Sequence, residues 1–246
     1  MKSVSKRPTT KAIDMKNASI ALVLFFCCAL LNLWAEYAQQ ETLVLVSKPL
    51  LMPLLAGWFY GNVAGRFDRF CRWVLLALLF SFGGDTLLLF VEHGPRMEIF
   101  FLLGLASFLV AHLFYIAAFR HLDASRTGLI FQSQWVLVFF AAFLAGMLLF
   151  LWPGIPGDMK VPVAVYSTVI VTMAVSAFNL KNKLPPAIFR LLFTGVLLFV
   201  LSDSLIAVNK FSDKVEIGNV RVWIMLTYLA AQYSIIRAVI HKKTTT

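Results

Sequence analysis

Eight apolar runs, each long enough to cross about 30 Å of hydrocarbon as a helix, follow one another along this chain with short connectors between them. They lie near residues 17–35, 42–61, 71–91, 98–119, 128–151, 161–180, 187–209 and 220–240. A water-facing core cannot absorb so much apolar surface. Soluble domains carry about a quarter charged residues, whereas this chain of 246 residues is 60% hydrophobic and 14% charged. Lipid is therefore the solvent for most of it. In lipid every backbone polar group must be satisfied internally, which leaves helices or a closed barrel. The runs are too long and too little alternating for barrel strands. The expected fold class is all-α: a polytopic membrane protein with eight transmembrane helices, integral to a plasma or inner membrane if the source is bacterial.

The connectors carry breakers and charges (Gly61 to Arg69, Gly94-Pro95, Trp152-Pro153-Gly154, Lys181 to Pro186), and none could hold a soluble domain. The expected organisation is a basic tail over residues 1–16 and one eight-helix domain over 17–241. The first run follows several lysines, as a signal peptide would, but it lacks a small-residue cleavage site and is long enough to span. The net charge of +10 invites a nucleic-acid reading, yet Lys and Arg fall in the connectors, where membrane topology places them. No nucleic-acid partner is expected. Counted by side, sixteen of the 22 Lys and Arg residues lie with the two termini and five lie opposite, which predicts cytoplasmic N- and C-termini. Cys27, Cys28 and Cys71 lie in or beside apolar runs and imply no disulfide framework.

Two acidic side chains interrupt the runs: Asp85 in LLFSFGGDTLLLF and Asp203 in LLFVLSDSLIAVNKF. A charge at that depth costs roughly 2.5–3.5 kcal/mol on insertion scales and marks a functional site by default. With cytoplasmic termini the third and seventh helices run outward, and each aspartate sits some six residues before the outer end. Lys48 lies about six residues into the inward-running second helix. At 1.5 Å per residue all three fall roughly 9 Å below the outer end of the apolar layer. Tyr166 reaches a similar level. This points to one polar cavity in the outer leaflet. Internal symmetry supports the pairing: Gly84-Asp85-Thr86-Leu87-Leu88 resembles Ser202-Asp203-Ser204-Leu205-Ile206 at an offset of 118, and Ala111-His112 resembles Ala231-Gln232 at 120. A parallel repeat of two four-helix halves would place the aspartates equivalently.

Two carboxyls in one low-dielectric cavity tend to hold one proton between them and titrate as a unit. One member can then donate a proton while the other, ionised, orients water or stabilises a cation. Asp85 and Asp203 are the candidate catalytic pair. Lys48, Tyr166, Ser81, Ser202, His112 and Asn209 are candidate supporting or substrate-binding groups. His112 and Tyr115 sit toward the inner half of the fourth helix, where packing is the plainer reading. Gly83 and Gly84 read as close-packing positions rather than as space for substrate. There is no HxxxH or HExxH, and His93, His121 and His241 belong to connectors or the tail, so neither a metal nor a cofactor is expected. No G-x-S-x-G elbow accompanies Ser81, Ser202 or Ser204. A proton-coupled transporter would also use paired intramembrane acids, though the acids lie toward one face and no Gly/Pro-interrupted helices occur in corresponding halves.

The segments Lys48-Pro49-Leu50, Ser81 to Leu88 (SFGGDTLL), Phe108 to Tyr115 (FLVAHLFY), Gly195 to Phe211 (GVLLFVLSDSLIAVNKF) and Tyr228 to Gln232 (YLAAQ) occur in this order. Together they resemble the YhhN-type lysoplasmalogenase family of eight-helix membrane proteins. The resemblance runs from the second helix to the eighth and leaves out the basic N-terminal tail. It implies hydrolysis of the vinyl-ether bond of a lysoplasmalogen, giving a fatty aldehyde and glycerophospho-ethanolamine or -choline. The implied partners are a lysophospholipid substrate and membrane lipids. The family's two proposed catalytic aspartates match Asp85 and Asp203. In such a reaction one aspartate would protonate the alkenyl carbon, while the other stabilised the oxocarbenium ion and deprotonated water. Lys48 nearer one of them would mark that one as the anion, or Lys48 would face the substrate phosphate. Another lipid hydrolase is the nearer alternative and the transporter the more distant one.

Overall fold

The computed structural model describes residues 10–91, 97–122 and 134–245. Eight helices long and apolar enough to cross a membrane account for nearly all of them: α1 (Thr10–Tyr37), α2 (Glu41–Val63), α3 (Arg69–Leu89), α4 (Met97–Leu122), α5 (Gln134–Leu151), α6 (Lys160–Phe178), α7 (Pro186–Phe211) and α8 (Val220–Thr245). Short 3₁₀ turns, Ala64–Arg66 and Trp152–Gly154, follow α2 and α5. No strand occurs among the described residues. The chain is an integral, multi-pass membrane protein. The start of the expected basic tail (residues 1–9), the Gly94-Pro95 connector with His93 and Arg96, Arg126, and residues 128–133 of the fifth run lie outside the described residues.

Local chemistry sets the boundaries. Asp68 caps α3, its carboxylate accepting the Cys71 N–H at 3.0 Å, which satisfies one of the orphan donors of a helix start. Pro186 sits in the first turn of α7, where its missing N–H is harmless. Pro49 and Pro53 lie inside α2 without ending it; a helix in lipid has no water to take over its backbone, and neighbouring groups re-satisfy the freed carbonyls. Large apolar side chains face outward, among them Leu30 (69% exposed) and Leu149 (76%). Water would penalise that surface, and acyl chains do not.

The α3–α4 and α7–α8 hairpins pack most closely. α2 lies against α3 and α8, while α6 lies against α4 and α7. Only 11% of the spanning part of α5 is buried, against 56% for α8. Thus α8 is central and α5 peripheral. Two ionic clamps fix the ends of α8. At its start, Arg221 donates from Nε to Glu36 at 2.6 Å and from Nη1 to Glu41 at 2.8 Å. At its other end, Lys243 Nζ meets Asp68 at 2.5 Å, and Arg66 donates to the Lys243 carbonyl. Desolvation disfavours the Asp68 carboxylate, but the Lys243 ammonium and the Cys71 N–H outweigh it and hold Asp68 down to about 2.

Candidate functional site

Asp85 is buried four residues before the end of α3, facing α8. A carboxylate so deep needs hydrogen-bond donors from its neighbours. The Tyr228 hydroxyl donates to its Oδ2 at 2.7 Å. One turn along α8, Gln232 donates from Nε2 to Ser81 Oγ at 3.0 Å and to the Tyr228 oxygen at 3.4 Å. Gln232 Oε1 accepts from the Tyr115 hydroxyl of α4 at 2.6 Å. Ser81/Asp85 on α3 and Tyr228/Gln232 on α8 are each spaced i, i+4, so each pair shares one helix face. The result is a buried ladder of polar groups joining α3, α4 and α8.

Asp203, on α7, takes a hydrogen bond on Oδ2 from the Tyr166 hydroxyl of α6. Nε2 of His112, on α4, lies 3.8 Å from the same oxygen. The imidazole is wholly buried, edge-on to Phe199 (4.8 Å between ring centres) and Tyr166 (5.4 Å), and neither ring nitrogen hydrogen-bonds among the described residues. Phe199 touches both the His112 ring and, at 5.5 Å between centres, the Tyr228 ring, so α3, α4, α6, α7 and α8 converge on one centre. Lys48 is half-buried on α2, near enough to act on Asp85 electrostatically, with no hydrogen bond or ion pair to either aspartate.

Two voids meet here. The Asp203 side chain, 10% exposed, reaches a cavity of about 70 Å³. Tyr166, Ser167 and Ser204 are polar points in a wall otherwise built from groups such as Leu105, Phe143, Met147, Ile170 and Val200. A second cleft of about 150 Å³ sets Lys48, Asn209, Lys210, Arg221 and Glu36 among apolar groups such as Val91 and Met225. Leu88, Phe101 and Ile206 line both. An apolar chamber and a cationic vestibule thus share one partition.

The structure therefore brings Asp85, Asp203, Tyr166, His112 and Ser81 together, with Lys48 at the edge. The sequence reading put His112 deeper, toward the inner half of α4. Depth counted by residues assumes an upright helix; α4 has 26 residues and a length of about 39 Å, longer than the hydrocarbon layer, and such helices tilt. Ser202 is elsewhere: its hydroxyl donates to the Ile224 carbonyl at 3.1 Å and ties α7 to α8. Asn209 is exposed and lines the vestibule rather than the chamber that Asp203 borders. At Gly84 a Cβ would fall 2.5 Å from the Phe108 ring, so this glycine serves close packing of α3 on α4.

The offset of 118 that relates Asp85 to Asp203 also relates Lys48 to Tyr166, and the offset of 120 relates Phe108 to Tyr228 and His112 to Gln232. In space the correspondence holds: α4 packs on α6 as α8 packs on α2. The two aspartates occupy matching places with different company. Asp85 faces a lysine and a tyrosine–glutamine ladder; Asp203 faces a neutral tyrosine, a histidine and the chamber. Tyr228, Gln232 and Tyr115 were not singled out from sequence as site residues, although the repeat offsets carried a signal for Tyr228 and Gln232. Glu36, a further buried acid, was missed because it lies at the very end of the first run.

Fold and site together define a multi-pass membrane protein with a two-carboxyl centre between an apolar chamber and a cationic vestibule. The chain belongs to the YhhN family, whose model matches residues 43–239, from α2 into α8. It is 33% identical over 186 residues to "Lysoplasmalogenase" of Mycobacterium tuberculosis, covering 75% of this chain and 66%, just under two thirds, of that protein's length. It is 32% identical over 231 residues to "Lysoplasmalogenase TMEM86A" of Bos taurus, covering 89% and 88% of the two chains. The human TMEM86A lysoplasmalogenase is 31% identical over 230 residues, with the same coverage. No solved structure matches the chain.

Proposed function

We propose that this protein is a lysoplasmalogenase, cleaving the vinyl-ether bond of a single-chain ether phospholipid by aspartate acid–base catalysis. The observation that carries the reading is the asymmetry between the two aspartates. Asp203 borders the apolar chamber beside neutral Tyr166. Asp85 lies behind it, close to the Lys48 charge and bonded by Tyr228. A cation beside one of two coupled carboxyls favours ionisation of that one. Asp85 is accordingly the anion and Asp203 the acid. On the same reading the domain is the single bundle over 17–241, behind a basic tail over 1–16, with both termini cytoplasmic and the site in the outer leaflet.

Hydrolysis then balances as follows. The alkenyl chain lies in the chamber, and the Asp203 O–H bond breaks as its proton passes to the alkenyl carbon remote from the ether oxygen. The oxocarbenium ion that forms is stabilised by the Asp85 carboxylate. Water adds to the cationic carbon and its proton goes to Asp85. The hemiacetal collapses as Asp203 accepts its hydroxyl proton and Asp85 protonates the leaving glyceryl oxygen. Fatty aldehyde and the glycerophospho-alcohol leave, one water is consumed, and both aspartates return to their starting forms.

The test is release of fatty aldehyde by the purified, detergent-solubilised protein from a lysoplasmalogen, beside the matching ester lysophospholipid. Aldehyde from the vinyl ether, an untouched ester, and loss of turnover in Asp85→Asn and Asp203→Asn are expected. A folded protein that releases no aldehyde would overturn the reading, and a proton-flux assay in proteoliposomes would then test transport.

A further inference from the structure

We infer that the cationic vestibule is a phosphodiester-binding site in which Lys48 and Lys210 hold the headgroup phosphate, so that the enzyme selects substrate by its charged head as well as its bond; the inference rests on the lysoplasmalogenase reading. The vestibule holds three cations, but Arg221 is committed to Glu36 and Glu41 through three hydrogen bonds. Lys48 and Lys210 form no ion pair among the described residues. Lys210 rests its ammonium over the Phe101 ring, 5.2 Å from the centroid, and Phe101 belongs to the partition between cleft and chamber. Lys48 sits inside a spanning helix, where a cation is costly unless it meets an anion. Lys48 makes no ion pair with either aspartate, and it lines a cleft with room for an anion.

The covalent order of the substrate fits this layout. In a lysoplasmalogen the apolar chain, the vinyl ether, three glycerol carbons and the phosphate follow in line. In the protein Asp203 lines the chamber, Leu88, Phe101 and Ile206 line both chamber and cleft, and the two lysines line the cleft. A phosphodiester bears one negative charge, and the lysines supply compact, strongly hydrated positive points that suit it without demanding a bidentate fit. Asn209 lies in the same cleft and can donate from its amide.

The experiment compares kcat/KM for a lysoplasmalogen with that for the phosphate-free 1-alkenylglycerol of equal chain length, in the wild type and in Lys210→Gln and Lys210→Arg. Loss of one charge-assisted contact should lower the phospho/phosphate-free ratio about tenfold in Lys210→Gln, mainly through KM, and Lys210→Arg should restore most of it. Equal losses for both substrates, or an unchanged ratio, would overturn the inference. A readout independent of turnover accompanies it. Thermal stabilisation of the wild-type protein by an ester lysophospholipid should exceed that by a monoacylglycerol of the same chain, and the difference should shrink in Lys210→Gln. If no aldehyde forms from any substrate but this stabilisation difference holds, the hydrolase reading falls and the phosphate site stands. If aldehyde forms and the difference is absent, the phosphate site falls alone.

Discussion

Tyr228 and Asp85, 143 residues apart, are joined by a 2.7 Å hydrogen bond across the interface of α3 and α8. The tyrosine ring is buried and meets Phe108 and Phe199 edge-on, so phenylalanine would keep the packing and remove the hydroxyl that donates to Asp85 and accepts from Gln232. Hydrogen bonds to charged groups contribute about 1.5–3 kcal/mol. If Asp85 is the anion facing the oxocarbenium ion, Tyr228→Phe should lower kcat by roughly ten- to a hundredfold while KM stays near wild type. A change confined to KM would assign Tyr228 to substrate binding instead.

The two aspartates should respond differently to conservative change. Both Asn variants lose a proton-transfer group, and general acid–base catalysis contributes about 10²–10⁴-fold. Asp203→Asn removes the acid and should abolish measurable aldehyde release. Asp203→Glu still carries a proton into the chamber and should retain partial turnover. Asp85→Glu must fit a longer side chain into the closed ladder of Tyr228, Gln232 and Ser81 and should fare worse. Parallel turnover assays on the four folded variants check this order, and equal tolerance of Glu at both sites would sink the assignment of roles.

The chamber should set chain-length preference. Val171, on α6, lies in its wall five residues beyond Tyr166. Val171→Trp would fill part of the volume, at about 1–3 kcal/mol of overpacking if neighbours cannot yield. The expected outcome is a rise in KM for long alkenyl chains with short chains unaffected, read from kcat/KM across a series of substrates. A uniform loss at all lengths would mean that the tail lies elsewhere.

The helices were legible because lipid imposes a length and forbids charge, so each apolar run had one meaning; the ends of α2, α4 and α8 extended a few residues further than the runs, into connector residues that complete the last turns. Asp85, Asp203 and Lys48 were legible for the same reason, as exceptions to the rule that defined the runs. Tyr228 and Gln232 were not, since a tyrosine or glutamine in an apolar run is an ordinary interfacial or packing residue until its partner is known. Ser202 adjoins Asp203 in sequence, but its hydroxyl bonds the Ile224 carbonyl. Neighbouring residues on a helix point about 100° apart, so adjacency to Asp203 was evidence against a shared site. The cleft's division into committed Arg221 and available Lys48 and Lys210 depends on Glu36, whose partner is 185 residues away.

That distant pair supports the last prediction. Glu36 is almost wholly buried and Arg221 about a quarter exposed, and they join α1 to the start of α8. Removing one partner of a buried pair leaves an uncompensated charge and costs about 3–5 kcal/mol, whereas replacing both with neutral groups is often nearly neutral. Arg221→Gln should therefore lower thermal stability markedly, by an amount toward the lower end because water still reaches the arginine. Glu36→Gln together with Arg221→Gln should regain most of the loss. Melting temperatures of the two single variants and the double variant form the cycle. If the double variant is as unstable as the sum of the singles, the pair carries no coupling, and the clamp at this end of α8 rests on Glu41 alone.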